Sequence, residues 1–83
     1  MPTVAIIEGV KIQLFAREHP PPHFHAVIAE YRAQIDIASL TVIKVHLPPD
    51  KLRTVISWAS DRQDALMNAW YTVQAKQRPE KIQ

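Results

Sequence analysis

The 83-residue sequence contains no cysteine and a single glycine. The absence of cysteine excludes disulfides and thiolate metal sites. With Gly9 alone, a glycine-rich phosphate-binding loop is excluded as well. No wholly apolar run is longer than four residues, so we expect neither a membrane span nor a signal-peptide core. Ten Lys and Arg oppose eight Asp and Glu, and this net charge of +2 is a weak argument for nucleic-acid binding.

Proline is abundant where glycine is scarce, with seven residues in the chain. Three of them, Pro20 to Pro22, separate His19 from His23. Because proline fixes φ and lacks an N–H donor, this stretch is predicted to be an extended connector that excludes helix and central strand. The segment that contains His19, His23 and His25 is therefore held rigid, and it is the predicted functional region.

The first half of the chain has the period-two alternation of β-strands. Glu8 and Gly9 lie between two such runs and predict a type I′ hairpin. Further alternating runs follow in residues 23–29 and 32–37, and another run covers residues 42–47. We predict an antiparallel sheet of four to five strands, built from two or three hairpins.

The second half has helical periodicity. Pro48 and Pro49 end the sheet, and apolar residues then recur at three- and four-residue intervals from Leu52. Ser60 and Gln63 resemble a capping box, so the segment is either one kinked helix or two helices. The predicted fold is α+β, with the helices packed on one face of the sheet. Residues 1–77 are predicted to form a single domain, and the polar residues 78–83 to fray.

A hairpin register follows from the alternation. Matching the apolar sets of the two strands around a turn at Glu30 and Tyr31 places His25 opposite Asp36. A three-residue turn around Leu40 then places Lys44 beside Asp36. The residues predicted to lie together on the face away from the helices are His23, His25, Asp36, Lys44 and His46.

Several kinds of chemistry fit this set of residues. In an enzyme, His25 would be the general base oriented by Asp36, and His23 the general acid. Lys44 or Arg32 would then hold a phosphate, as in a metal-independent nuclease-like hydrolase. A second hypothesis is a divalent metal site formed by the three histidines of the proline segment, His19, His23 and His25.

A structural role is the alternative to both hypotheses. The histidines would then cap or pack the proline turn, and His46 would be an ordinary surface residue of its strand. Trp58 and Trp70 are interpreted in the same way, either as core residues or as part of a partner interface.

The segment from His19 to His25 resembles the hallmark H-x-P-P-H-F-H of domain-of-unknown-function family 4160. The resemblance marks as signature positions His19, Pro21, Pro22, His23, Phe24, His25 and Asp36. Other matching positions are Tyr31, Ala33, Ile35, Ile37, Leu47, Pro48, Trp58, Ala59, Leu66 and Trp70. The sequence departs from the pattern where residues 38–41 lack an expected glycine and where a histidine is missing near Arg62.

The resemblance implies a small bacterial cytoplasmic protein that is often encoded beside another small protein, in pairs similar to toxin–antitoxin modules. Our leading hypothesis is therefore a binding module, and not an enzyme, whose partner is that neighbouring protein. A homodimer is a further hypothesis, because a core this small gains from association. Apart from a divalent metal, no cofactor is indicated, and we expect no contact with a membrane.

Overall fold

The computed structural model describes residues 3–83. Their strands and helices follow in the order β1 (Thr3–Ile7), β2 (Val10–Gln13), β3 (His23–Ile28), β4 (Tyr31–Asp36), β5 (Val42–His46), α1 (Pro49–Ser60) and α2 (Gln63–Gln74). All neighbouring strands are antiparallel, and the sheet order β1-β2-β3-β4-β5 is the chain order. The predicted α+β fold is confirmed, with five strands followed by two helices.

The core lies between one sheet face and the two helices. The sheet buries alternate apolar side chains, of which the largest are Ile12, Phe24 and Ile35, and Leu14 and Ile37 are buried directly after β2 and β4. Helix α1 contributes Val55 and Ala59, and helix α2 contributes Leu66, Ala69, Trp70 and Val73. Trp70 is 5% exposed and therefore belongs to the core. Neither helix of the described residues packs on the other sheet face.

The first hairpin turns at Glu8 and Gly9, with φ angles of 48° and 84°. Both values are positive, as a type I′ turn requires, and the predicted hairpin is confirmed. Glycine takes such angles without a Cβ clash, whereas Glu8 occupies the left-handed region with a side chain.

The predicted register of the β3–β4 hairpin is wrong by two residues. The strands are joined by a two-residue turn, Ala29-Glu30, with Ala29 at φ 52°. His25 consequently pairs with Gln34, and Asp36 pairs with His23. A shift of two residues keeps every side chain on its own face, so the alternation of the sequence could not distinguish the two registers.

The β4–β5 connection also differs from the expectation. The three-residue turn becomes a five-residue loop, residues 37–41, with Leu40 at φ 58°. Leu40 thus takes the conformation for which a glycine was expected. The register shifts between Gln34 and Ile35, and Lys44 pairs with Gln34 rather than Asp36. His46 pairs with Arg32.

The helical region is divided at Asp61 and Arg62. The expected capping box is absent, because α2 has Arg62 at its N-cap with no side-chain cap hydrogen bond, and the Ser60 hydroxyl donates to the Ser57 carbonyl. Gln63 Nε2 instead donates to the carbonyls of Ile37 and Ala38, both at 2.9 Å. This contact attaches the start of α2 to the β4–β5 loop.

The C-terminal segment, residues 78–83, lies outside helices and strands but is held against the fold. The Ile82 N–H donates to the Val4 carbonyl at 2.7 Å, and Arg62 Nε donates to the Gln83 carbonyl oxygen at 2.7 Å. Neither helix within residues 3–83 is long and apolar enough to cross a membrane.

Candidate metal centre

The connector between β2 and β3 turns back toward the sheet at Arg17, which has φ 63°. Helix α2 holds this turn through Gln74, whose Nε2 donates to the Phe15 carbonyl at 3.0 Å. The Gln74 Oε1 accepts from the Arg17 N–H at 3.2 Å. One helical side chain thus fixes the residues that directly precede Glu18.

His23 begins β3 and is 6% exposed. Its Nδ1–H donates to the Pro21 carbonyl at 2.8 Å, which fixes the orientation of the ring and the tautomer. The ring centroid lies 5.3 Å from that of Trp70. The prediction that His23 lies away from the helices is therefore wrong. The paired positions of β2 and β3 extend only as far as His25, and Trp70 of α2 contacts the ring of His23.

His25 lies two residues further along the same strand. Its Nε2 is hydrogen-bonded to Glu18 Oε1. Phe15 contacts the imidazole edge-on, with ring centroids 4.6 Å apart and an interplanar angle of 87°. The rings of His23 and His25 have centroids 5.3 Å apart. Both side chains are thus held in place by aromatic neighbours as well as by their hydrogen bonds.

Glu18 brings the two histidines together. Its Oε1 lies 3.4 Å from His23 Nε2 in addition to its bond with His25. Partial burial raises the pKa of Glu18, but the hydrogen bond from His25 and the charges of both imidazoles outweigh burial and lower the pKa below its ordinary value. The carboxylate form is therefore favoured.

One atom of this cluster lacks a partner. Among the described residues, His23 Nε2 is buried and makes no hydrogen bond. In the neutral form of the ring, Nδ1 carries the proton donated to Pro21 and Nε2 carries the lone pair. That lone pair points toward the Glu18 carboxylate, an arrangement that costs free energy unless a cation or proton lies between the two atoms. In the protonated form, whose charge favours the Glu18 carboxylate, Nε2 carries a proton as well.

The residues of the segment from His19 to His25 have different roles. Pro21 supplies the carbonyl that orients His23, and the Pro22 carbonyl accepts from the Ile37 N–H at 3.0 Å. Phe24 is 0% exposed and belongs to the core. His19 is exposed and is not one of the three residues whose ligand atoms lie within 4.8 Å of one another.

The other residues predicted for the site lie apart from the cluster. The Asp36 Oδ1 accepts from the Ser39 N–H at 3.0 Å and so stabilises the β4–β5 loop. Lys44 and His46 are exposed on β5, and the His46 ring lies 5.8 Å from that of Tyr31. The predicted pairing of His25 with Asp36 is wrong, and Glu18 provides the carboxylate in its place.

The sequence-based prediction placed the carboxylate partner of His25 on a neighbouring strand and therefore missed Glu18. The available signal was proximity, since Glu18 is the only carboxylate in residues 17–25. Its approach to His25 depends on the positive φ of Arg17 and the contacts of Gln74, which no local pattern reveals.

Two imidazoles and one carboxylate are a recurrent ligand set for zinc and for non-heme iron. The ligand atoms of Glu18, His23 and His25 all lie within 4.8 Å of one another. The hydrogen bond from His23 Nδ1 to a backbone carbonyl is the outer contact that orients metal-bound histidines in proteins.

The fold and this cluster define a small α+β protein with a histidine–carboxylate centre at the junction of a proline connector and a central strand. A family model described as Domain of unknown function (DUF4160) matches residues 9–71. Because the match covers well over half of the 83 residues, the chain belongs to this family. The matched span includes Glu18, His23 and His25. No curated protein and no solved structure matches the chain.

Proposed function

We propose that this protein binds one divalent transition-metal ion through Glu18, His23 and His25. The observation that carries the proposal is the buried, unpartnered Nε2 of His23, which faces the Glu18 carboxylate. A metal ion would accept the lone pair of this atom and the charge of Glu18 together. Burying Nε2 without a partner destabilises the metal-free protein, and metal binding removes this unfavourable free energy. The metal-bound protein is therefore favoured by the same amount.

The separation of His23 Nε2 and Glu18 Oε1 suits such an ion. Two ligands at about 2.0–2.1 Å from a tetrahedral ion are separated from each other by about 3.3–3.4 Å. The distance between His23 Nε2 and Glu18 Oε1 is 3.4 Å. His25 offers its own Nε2, which exchanges its hydrogen bond with Glu18 for a metal bond when the ion enters.

The ligand types indicate which ions are preferred. Imidazole nitrogen favours Zn²⁺, Fe²⁺, Ni²⁺ and Cu²⁺ over Mg²⁺ and Ca²⁺, which prefer oxygen ligands. Three protein ligands leave at least one coordination position for water or for a group from a partner. A bound ion at this position would act as a Lewis acid or activate that water.

Calorimetric titration with Zn²⁺ and the visible absorption of Co²⁺ test this proposal. We expect one equivalent of metal to bind the wild-type protein at micromolar concentration. Glu18→Gln and His23→Ala should each weaken binding by at least about 10-fold, the lower end of the range for perturbed metal sites. The matched controls His19→Ala and His46→Ala remove an exposed imidazole and should bind as the wild type does. Equal affinity in all five proteins would contradict the proposal.

The acid–base alternative built on His23, His25 and Asp36 has less support. The side chain of Asp36 is engaged with the Ser39 N–H, and its strand partner is His23 rather than His25. Cleavage of a labelled RNA in the presence of EDTA measures any metal-independent activity. Activity that disappears with Asp36→Asn but survives Glu18→Gln would favour this alternative over the metal centre.

A second candidate function is binding to a neighbouring small protein of the toxin–antitoxin-like pair. The feature that supports it is the uncovered β5 edge, where Ile43 is 43% and Val45 58% exposed. An edge strand with exposed apolar side chains can add a strand from another chain. Lys44 on the same strand disfavours indiscriminate pairing, so the edge suits a specific partner.

Co-expression with the neighbouring gene product and size-exclusion chromatography test this second function. We expect co-elution for the wild type, loss of co-elution for Val45→Asp, and no loss for Tyr71→Asp, which alters an equally exposed residue on α2. Chromatography of the protein alone tests the homodimer. Separate elution of the two wild-type proteins at every concentration would count against partner binding.

A further inference from the structure

The sheet face that the helices leave uncovered has its own chemical character. Side chains on this face alternate with the core positions Ile12, Ala26 and Ala33. Two cross-strand rows follow from the register. One row is formed by Ile6, Lys11, Val27, Arg32 and His46, and the next by Gln13, His25, Gln34 and Lys44.

Three cations lie within these two rows: Lys11, Arg32 and Lys44. All three are exposed, and within residues 3–83 none of them forms a side-chain hydrogen bond or an ion pair. Two carboxylates lie closest to the rows: Asp36 is hydrogen-bonded to the backbone of the β4–β5 loop, and Glu18 is hydrogen-bonded to His25. Glu30 lies beyond the rows, in the β3–β4 turn.

The distribution of charge is therefore uneven, although the net charge is small. The chain has ten cations and eight carboxylates. Without Lys11, Arg32 and Lys44, seven cations oppose eight carboxylates, and the rest of the molecule has a formal charge of −1. The uncovered face is the basic side of the molecule, and its charge complements a polyanion.

The spacing and the intervening side chains favour one kind of polyanion. Lys11 and Arg32 are two strands apart, about 10 Å, and Arg32 and Lys44 are diagonal neighbours at about 7–8 Å. Gln13 and Gln34 lie in the second row with Lys44, and their amides both donate and accept hydrogen bonds, as the edges of nucleobases do. Gln13 Nε2 also donates to Thr3 Oγ1 at 3.2 Å, whereas the Gln34 amide has no partner among the described residues.

The shape of the face distinguishes a single strand from a duplex. A five-stranded sheet, about 19 Å across its strands, is wider than the major groove of B-DNA, about 12 Å, but it can hold an extended single strand whose bases lie on its surface. The apolar side chain of Val27 and the imidazole of His46 offer surfaces for base contact within the first row.

We propose that the uncovered sheet face binds single-stranded nucleic acid, with Lys11, Arg32 and Lys44 on the phosphates. Binding at this face uses none of the charges of the metal centre and stands independently of it. If three phosphates are neutralised on a single strand, the salt dependence of log K should have a slope of about −2. Raising NaCl fourfold would then weaken binding by about 20-fold.

Fluorescence anisotropy of a labelled 12-nucleotide oligouridylate, at 50 and 200 mM NaCl, tests the proposal. The triple variant Lys11→Ala, Arg32→Ala, Lys44→Ala should lose at least tenfold in affinity at the lower salt, and its salt slope should approach zero. The matched control is Arg53→Ala, Lys76→Ala, Arg78→Ala, which removes the same charge from exposed positions outside the sheet. This control should stay within about twofold of wild type. Circular dichroism establishes that both variants are folded.

Several outcomes would overturn the proposal. Equal losses in the two triple variants would mean that only net charge matters. Equal or tighter binding of a labelled duplex would contradict the single-strand preference, and equal affinity for polyglutamate or for phosphatidylserine vesicles would indicate a general anion surface. Absence of any anisotropy change at 100-fold the concentration of probe at 50 mM NaCl would also refute it. Glu18→Gln should weaken Zn²⁺ binding without lowering RNA affinity, which separates this face from the metal centre.

Discussion

Replacing His23 with phenylalanine should make the metal-free protein more stable and the metal-loaded protein less stable than wild type. Phenylalanine keeps an aromatic ring against Trp70 and removes both ring nitrogens. The variant therefore loses the hydrogen bond to the Pro21 carbonyl and the unpartnered Nε2 at the same time. Of the two ring nitrogens, only Nε2 is a metal ligand in our proposal.

In the absence of metal, the two losses change the free energy of unfolding in opposite directions. A buried polar atom without a partner costs about 1–3 kcal/mol, and removing it returns that free energy. The lost hydrogen bond costs about 1 kcal/mol, because Pro21 is exposed and water can solvate its carbonyl. We expect a net stabilisation of about 1 kcal/mol, or a rise in Tm of about 4–8 °C for a domain of this size.

Bound metal makes the wild-type protein more stable than the variant. At a free Zn²⁺ concentration 100 times Kd, the wild-type protein gains about 2.7 kcal/mol, which the variant cannot gain. Thermal unfolding followed by circular dichroism, with EDTA and with Zn²⁺, measures both differences. His19→Phe serves as the control and should behave as wild type in both buffers. A variant that is destabilised by more than about 2 kcal/mol in EDTA would refute the reasoning, because it would show that Nε2 stabilises the metal-free fold.

Three further predictions concern neighbouring residues. Glu18→Gln should lower the free energy of unfolding at neutral pH. Because the pKa of Glu18 in the folded protein lies below the ordinary 4.5, the difference from wild type should be present above pH 4.5 and vanish as the pH falls through the folded pKa. Urea unfolding at pH 7 and pH 3 measures this difference. Trp70→Ala should cost about 3–5 kcal/mol in urea unfolding, because it leaves a cavity beside His23 and α2, whereas a cost below 1 kcal/mol would contradict the packing described. Gln74→Leu should weaken Zn²⁺ binding several-fold in calorimetry by releasing the turn before Glu18, while the affinity of the control Gln77→Leu stays unchanged.

Local sequence patterns determined much of the fold. Alternation along residues 23–28 assigned Phe24 and Ala26 to the core, and both are fully buried. Gly9 marked a turn because few other residues take its φ of 84° without strain. The change from period two to helical spacing after Pro48 marked the boundary between sheet and helices. Each of these features depends on contacts within a few residues or on burial of one face.

The same patterns could not determine the registers of the strand pairs. A hairpin shifted by two residues keeps its faces, so the choice depends on turn conformation, and Ala29 and Leu40 adopt positive φ without being glycine. The sequence therefore predicted the wrong strand partner for Asp36.

The candidate centre combines both kinds of information. The sequence by itself determined that His23 and His25 lie two residues apart on a strand that follows a rigid proline connector, because proline geometry and strand alternation are local. Only the tertiary structure decided which carboxylate joins them. Glu18 reaches the two histidines because Gln74, more than fifty residues away along the chain, holds the turn at Arg17, and Trp70 buries the ring of His23. Such contacts form between segments that are distant in sequence, and no spacing within the connector encodes them.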